Sequence, residues 1–177
     1  SPDVFVTTGT PNPQLSHTGP LAVGVPGLLA ALHEASSRYG QSGWGVALNA
    51  AADVAAEGFE LSSNHAGVLA ANAETLRRFA SSAEVLLDGS GQPWQAGDVL
   101  RQPDLARTLR GIASEGVDWF YRGEFAERLA DYMRDSGGLI TAEDMANYRV
   151  KQRTAIGSAY RSWKVWGFPP PSSGGIH

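Results

Sequence analysis

The sequence predicts an α+β fold that is mainly helical and has about two β-strands near its C-terminal end. Apolar residues recur at helical spacing through the region 24–148, where glycine and proline residues separate the segments. After Tyr148 the pattern changes to the alternation that favours strands. The length of 177 residues fits one domain. We therefore expect a single domain over 1–177, and a partial one for the reasons given below.

The N-terminal part combines an irregular segment with two helices. Residues 1–18 are rich in proline, threonine, asparagine and glycine and indicate an extended arm. A helix is predicted over 26–39, because Pro26 suits a first turn and a glycine follows the last. A second helix starts near Trp44 and is closed by Gly58, and its alanines allow a neighbouring helix to approach closely.

The middle of the chain has weaker signals. Either Ser62 or Ser63 can cap a third helical stretch, which extends to Phe79 and whose interior breaks are open. Residues 87–93 form a turn. The short run 98–100 is either a brief strand or the lead-in to the next helix.

Three further helices are predicted before Tyr148. Pro103 starts the first, and apolar residues from Phe125 to Met133 define the second. The sequence from Thr141 to Asp144 resembles a capping box with aspartate in place of glutamate, and it starts the third.

Two strands are predicted within 149–168. The first covers the alternation from Val150 to Ile156, the second covers 160–166, and Gly157-Ser158 divides them. The proline-rich and glycine-rich segment 169–177 prohibits regular structure and indicates a connector. Since the chain starts without methionine and stops in this connector, we expect it to be an excerpt of a longer polypeptide.

Composition excludes several classes of function. The net charge of −4 is spread without blocks and provides no basic field for nucleic acid. The uncharged stretch 4–33 is interrupted by polar residues, so it predicts no membrane span. The chain has no cysteine, and its histidines show no metal-ligand spacing, which leaves metal sites and thiolate chemistry unsupported.

No residue stands out as catalytic on the sequence pattern alone. An exposed or capping role suits His33 and His65 better than catalysis. No Gly-x-Ser-x-Gly motif occurs. Paired carboxylates could serve glycoside chemistry, but helix starts and polar faces already explain the candidates, which are Asp104, Asp118, Glu124, Asp131, Asp135, Glu143 and Asp144.

An ordered series of motifs resembles the γ-glutamyltranspeptidase family. The resemblance covers nearly the whole chain from about Gly19 onward. It rests on the order and approximate spacing of 24–30 (GVPGLLA), 56–59 (AEGF), 101–106 (RQPDLA), 120–123 (FYRG), 137–144 (GGLITAED), 160–161 (YR) and 169–175 (PPPSSGG). Any one motif is weak, whereas the ordered set is specific.

The resemblance implies an N-terminal nucleophile hydrolase of αββα architecture, made as a precursor that cuts itself into a large and a small subunit. A threonine freed at the start of the small subunit would attack the γ-glutamyl amide of glutathione or a related compound. This chain would be the C-terminal half of the large subunit, without the nucleophile. Its partner would be the small-subunit chain or the remainder of the precursor, no cofactor is implied, and a periplasmic or secreted location is suggested.

The site residues implied by the resemblance lie outside the sequence. The threonine would follow His177, and the arginine that holds the substrate α-carboxylate would precede Ser1, since neither Thr7-Thr8 nor Arg101 has the matching context. We therefore assign no catalytic, substrate-binding, cofactor-binding or metal-binding residue and expect the isolated chain to be inactive and to self-associate. The alternative is a non-catalytic helical binding module on the same scaffold.

Overall fold

The computed structural model describes residues 2–7 and 9–175. Short hairpins stand near both ends, and helices with one small sheet lie between them. In chain order, with 3-10 helices at Pro2–Phe5, Pro13–Ser16 and Pro20–Ala22, the elements are β1 (Val6–Thr7), β2 (Thr10–Pro11), α1 (Leu28–Tyr39), α2 (Trp44–Glu57), β3 (Phe59–Glu60), α3 (Ser63–Ala71), α4 (Ala73–Arg77), α5 (Ala80–Leu86), β4 (Val99–Leu100), α6 (Pro103–Glu115), α7 (Val117–Arg122), α8 (Glu124–Asp135), α9 (Ala142–Asn147), β5 (Ile156–Tyr160) and β6 (Trp163–Gly167). The predicted class, α+β and mainly helical with two strands near the C-terminal end, is confirmed.

The main core lies among the central helices. Phe120 stacks on Phe125, with ring centroids 4.1 Å apart. The buried members of this cluster come from α2, α6, α7, α8, α9 and the loop before α9, and they are Leu48, Ile112, Phe120, Tyr121, Ala126, Met133, Ile140 and Met145. A smaller cluster of Leu61, Leu69 and Leu100 lies under the small sheet.

Small residues bring α2 and α6 together. Ala52 and Ala55 of α2 and Ala106 of α6 are buried in one cluster. Because alanine side chains are short, the two helix backbones pack closely there. The close approach predicted from the alanines of the second helix is confirmed.

The third helical stretch, whose interior breaks were open, divides into the two helices α3 and α4, and α5 follows beyond its predicted end. Ser62 is the N-cap of α3, and its hydroxyl accepts a hydrogen bond from the backbone N–H of His65 at 3.2 Å. Asn72 follows the helix, and its side-chain amide donates to the carbonyl of Val68 at 2.8 Å. Such a side-chain bond to the preceding turn competes with continuation of the helix.

The segment before α6 is a strand, which settles the alternative left open for 98–100. β4 pairs antiparallel with β3, and Phe59 lies opposite Leu100. Gly58 precedes this pair with a φ of 89°, and a Cβ there would lie 2.8 Å from the carbonyl oxygen of Leu100. Glycine is therefore required for the chain to turn from α2 into the sheet.

Helix α7 was missed by the sequence prediction. Its six residues are too short for an apolar period, and Trp119, Phe120 and Tyr121 are consecutive rather than spaced along one face. Gly116 ends α6 and begins α7 with a φ of 87°. The predicted capping box is confirmed, since Thr141 and Asp144 exchange both hydrogen bonds at the start of α9.

The first of the two predicted C-terminal strands is misplaced, whereas the second, predicted over 160–166, overlaps β6. Residues 150–155 form no strand, and β5 begins at Ile156. Gly157 and Ser158, which the sequence predicts to divide the strands, lie inside β5, and the turn is at Arg161 and Ser162. Gly157 faces Trp166, and a Cβ there would lie 2.8 Å from the Trp166 ring. The glycine thus makes room for a cross-strand indole rather than for a turn.

Two other sequence predictions concern the ends of the chain. In its described part, the segment 1–18 contains two 3-10 helices and the β1–β2 hairpin. The segment 169–175 is irregular, while residues 176 and 177 lie outside the described range. The assignment of 1–177 to one partial domain stays a prediction.

Candidate functional site

The hydroxyl of Tyr121 caps the N-terminal end of helix α1. It donates to the carbonyl of Pro26 at 2.5 Å and accepts from the backbone N–H of Ala30 at 3.2 Å. Gly27 is the N-cap of α1 and has no side chain to fill this role. The predicted start at Pro26 is therefore two residues early, because the Pro26 carbonyl is occupied by a tertiary contact instead of a turn of helix.

Tyr148 completes this junction. Its ring stacks on Tyr121 with centroids 5.8 Å apart and planes 8° apart. A Cβ at Gly27 would lie 2.8 Å from Cζ of Tyr148 and still closer to its hydroxyl oxygen. Burial raises the pKa of the Tyr121 hydroxyl, which favours the neutral donor form. The sequence around Pro26 and Gly27 is thus fixed by two tyrosines that are distant in the chain.

A cavity of about 340 Å³ opens beside the junction, between α1, α7 and the segment 148–152. Three arginines, two carboxylates and one histidine line it together with Tyr121 and Tyr148. Glu34 pairs with Arg38 at 2.6 Å, and Asp118 pairs with Arg122. The third arginine, Arg149, was not singled out by the sequence analysis.

The connector after β6 folds back on the end of that strand. The backbone N–H of Gly175 donates to the carbonyl of Phe168 at 2.9 Å. A Cβ at Gly167 would lie 2.5 Å from the Cα of Gly175, so these glycines allow the two backbones to meet. The Ser172 hydroxyl accepts from the backbone N–H of Gly174 at 3.4 Å. The loop presents exposed hydroxyls, but within 2–7 and 9–175 no histidine hydrogen-bonds to it.

The histidines considered in the sequence have packing contacts. His33 is half-buried, with its ring edge-on to Trp44 at 5.3 Å between centroids. His65 is also half-buried and stacks over Phe59 at 6.2 Å. The exposed or capping role expected for both rings is therefore wrong. Their aromatic contacts, a feature without a local sequence signal, account for their positions.

Most of the acidic candidates form contacts within their own helix. Ion pairs to arginines one turn away involve Asp104, Asp118, Glu124 and Asp131. Asp144 belongs to the capping box, and the Thr141 hydroxyl lowers the pKa of its carboxyl group. Asp135 lies 3.7 Å from Arg134. These contacts are those of polar helix faces and helix starts.

The threonines, metal ligands and apolar helices add no further candidate. Thr7 lies in β1, whereas Thr8 lies outside the described residues. No group of three potential metal-ligating side chains occurs in the described ranges. In the same ranges, no helix has both the length and the hydropathy needed to cross a bilayer. The absence of any catalytic assignment stays a prediction.

Comparison with known proteins identifies the family. The family model described as gamma-glutamyltranspeptidase matches residues 1–177. The chain belongs to the gamma-glutamyltranspeptidase family. The match includes the segment 24–30, of which Pro26 and Ala30 bond to Tyr121, and the glycine-rich loop that closes on β6.

Relatives of this family are longer than the chain. It is 37% identical over 176 residues to the glutathione hydrolase proenzyme of Escherichia coli, covering 99% of the chain and 30% of that protein. It is 41% identical over 159 residues to the acylase ACY 1 proenzyme of Pseudomonas sp. strain SE83, covering 90% of the chain and 28% of that protein. The chain thus spans less than a third of these gamma-glutamyltranspeptidase relatives.

A solved member of the gamma-glutamyltranspeptidase family has the same fold. The crystal structure of the Helicobacter pylori gamma-glutamyltranspeptidase superposes with a TM-score of 0.92 and 35% identity. The superposition covers 98% of this chain and 50% of that one. The helices, both hairpins and the connector therefore belong to one shared arrangement.

Proposed function

We propose that the complete protein transfers or hydrolyses the γ-glutamyl group of glutathione and related amides, and that this chain is the C-terminal half of its large subunit. The observation that carries the proposal is the match of the whole chain to the family model. The proenzyme relatives, of which the chain spans about 30%, support the role of one part of a larger precursor.

In the proposed reaction, a threonine hydroxyl of the small subunit attacks the γ-carbonyl carbon of the substrate. An ester to the threonine forms, the amide C–N bond breaks, and the amine leaves with the proton that the hydroxyl gives up. Water or an amino acid then attacks the ester and releases glutamate or a new γ-glutamyl amide. The described residues contribute a scaffold to this chemistry rather than a reacting group.

The C-terminal hairpin supports a partner from the same precursor. Trp163 is 72% exposed, Trp166 is 67% exposed and Phe168 is 75% exposed. In the described range after Met145, no residue is buried. A two-stranded hairpin is marginally stable alone, and large exposed aromatic side chains mark contact surfaces. We propose that the small subunit or another part of the precursor covers this hairpin.

The test uses the complete gene product and the 177-residue chain in parallel. We expect the complete protein to cut itself into two chains, the second starting with threonine, and to release the amine from a γ-glutamyl anilide. The chain alone should release none and should self-associate through its uncovered hairpin. An intact mass without cleavage, together with no anilide hydrolysis, would overturn the enzyme proposal in favour of a binding module.

The acylase relative favours a second candidate substrate class. Its identity of 41% is higher than that to the Escherichia coli glutathione hydrolase. A glutaryl anilide differs from the γ-glutamyl anilide only by the missing α-amino group. Faster release from the γ-glutamyl compound supports the transpeptidase proposal, and faster release from the glutaryl compound supports an acylase.

A further inference from the structure

Two arginines meet at the C-terminal end of α9, next to the cavity described above. Arg149 donates through Nη1 to the carbonyl of Ala146 at 2.7 Å and to that of Tyr148 at 2.7 Å. Arg122 donates to the same Ala146 carbonyl at 3.4 Å. One carbonyl oxygen therefore holds two guanidinium groups near each other, although like charges repel.

The two arginines differ in whether a carboxylate pairs with them. Asp118 pairs with Arg122. Within 2–7 and 9–175, Arg149 forms no ion pair, and its Nε and Nη2 groups donate to no protein acceptor. Backbone carbonyls fix one edge of the guanidinium and leave its other N–H groups available. A guanidinium held in this way is suited to a planar or tetrahedral oxyanion.

The opposite wall of the cavity is already paired. Gln152 joins Arg38 and Glu34, accepting from Arg38 at 3.3 Å and donating to Glu34 at 3.2 Å. This network ties α1 to the extended segment and forms a rim without free charge. The excess charge of the cavity is therefore the one positive charge of Arg149.

The chain around Arg149 adds to the positive potential. Lys151 and Arg153 follow at alternate positions in an exposed segment with no acidic residue. This cluster of three cations in five residues occurs in a protein of net charge −4. A local field of this kind attracts small anions against the sign of the whole molecule. The volume of about 340 Å³ fits a compact ligand better than a polymer.

We propose that this cavity binds a small carboxylate or phosphate anion, with Arg149 as the main contact and Arg122 as the second. The anion replaces water at the free edge of the Arg149 guanidinium. The proposal rests on the two arginines and their contacts and not on the proposed threonine chemistry. Its test is therefore a binding measurement and not an activity assay.

The experiment is a calorimetric titration of the complete protein with succinate and, separately, with inorganic phosphate at low salt. We expect saturable binding with a dissociation constant on the order of millimolar, because the arginines are exposed. Arg149→Gln should weaken it by about tenfold or more, the loss expected for a charge-assisted hydrogen bond. Arg149→Lys, which keeps the charge without the fork, should recover only part of the affinity.

The matched control is Arg78→Gln, which makes the same replacement at an exposed arginine at the end of α4, away from the cavity. We expect it to change the affinity less than about twofold. Tighter binding of succinate supports the site and assigns it to carboxylates, and tighter binding of phosphate supports it and assigns it to phosphate groups. The proposal is overturned if neither anion binds at tens of millimolar, or if Arg149→Gln weakens binding no more than Arg78→Gln.

Discussion

Replacement of Tyr121 by phenylalanine tests whether a distant hydroxyl begins helix α1. The change removes one oxygen atom and leaves the ring, which stacks on Tyr148, in place. Two backbone groups lose a partner: the Pro26 carbonyl at 2.5 Å and the Ala30 N–H at 3.2 Å. Gly27, the N-cap residue, has no side chain that could replace the hydroxyl.

The expected cost follows from the burial of Tyr121, which is 6% exposed. Leaving a partly buried donor or acceptor unpaired costs about 1–3 kcal/mol. Loss of an N-cap side chain costs about 1 kcal/mol in other helices, which agrees with the lower part of that range. The loss should be concentrated in the first turn of α1, because the core around the ring keeps its packing.

Amide hydrogen exchange of the complete protein measures this local effect. We expect the segment that contains Ala30 to exchange on the order of tenfold faster in Tyr121→Phe, as a change of about 1.4 kcal/mol implies. Tyr132→Phe is the control, since this side chain of α8 is exposed and its hydroxyl has no partner in the described residues. Equal exchange of this segment in both variants would refute the assignment of Tyr121 as the capping group.

Two further predictions concern the same kind of helix start. Gly27→Ala should lower the free energy of unfolding, measured by urea denaturation, by about 1–3 kcal/mol because its methyl group would contact Tyr148. Gly24→Ala is the control, and because there is open space around Gly24 it should change the free energy of unfolding by less than about 0.5 kcal/mol. The lowered pKa of Asp144 means that its contribution is present above the ordinary value of 3.8 and is lost as pH falls through the folded-state pKa. Asp144→Asn should therefore make the free energy of unfolding fall less steeply as the pH decreases. Glu143→Gln, on the same turn, should retain more of this pH-dependent fall. A decline equally steep in Asp144→Asn and the unaltered protein would contradict the capping role.

Local chemistry made most of the helices predictable. Gly58 and Gly116 end helices, Pro103 begins one and Thr141 caps another, and each acts within a few residues of its own position. Signals of this kind are present in any sequence, because they depend on φ angles and on the unpaired N–H groups of the first turn. The ordered motifs also allowed the family to be predicted, because they extend over many such elements.

Contacts between distant residues were not predictable in this way. Glycine is a turn former in most sequence contexts, but here Gly157 lies opposite Trp166, nine residues away across the hairpin. Pro26 suits a first turn, but Tyr121 occupies its carbonyl. In both cases a contact with a distant residue, and not the local preference of the glycine or proline, determines its structural role.

The candidate anion site shows the same limit. The basic pattern from Arg149 to Arg153 is visible in the sequence, but a short basic run usually lies on a solvated face. Its significance depends on Arg122, a residue of α7, the helix that the sequence pattern did not reveal. Without that helix, the shared carbonyl of Ala146 and the cavity beside it have no basis in the sequence.

The distribution of buried residues explains why the helical part of the chain can be stabilised by its own contacts while the C-terminal part cannot. The main core extends from Leu48 to Met145 and is formed by helices that contact one another. Strands β5 and β6 bury none of their residues, although they carry Trp163 and Trp166. Burial of apolar surface is the main favourable contribution to folding, so the helices can be stabilised by their own contacts while the hairpin requires a covering surface. A partner that covers the hairpin would therefore stabilise the strands and the connector without changing the packing of the helices.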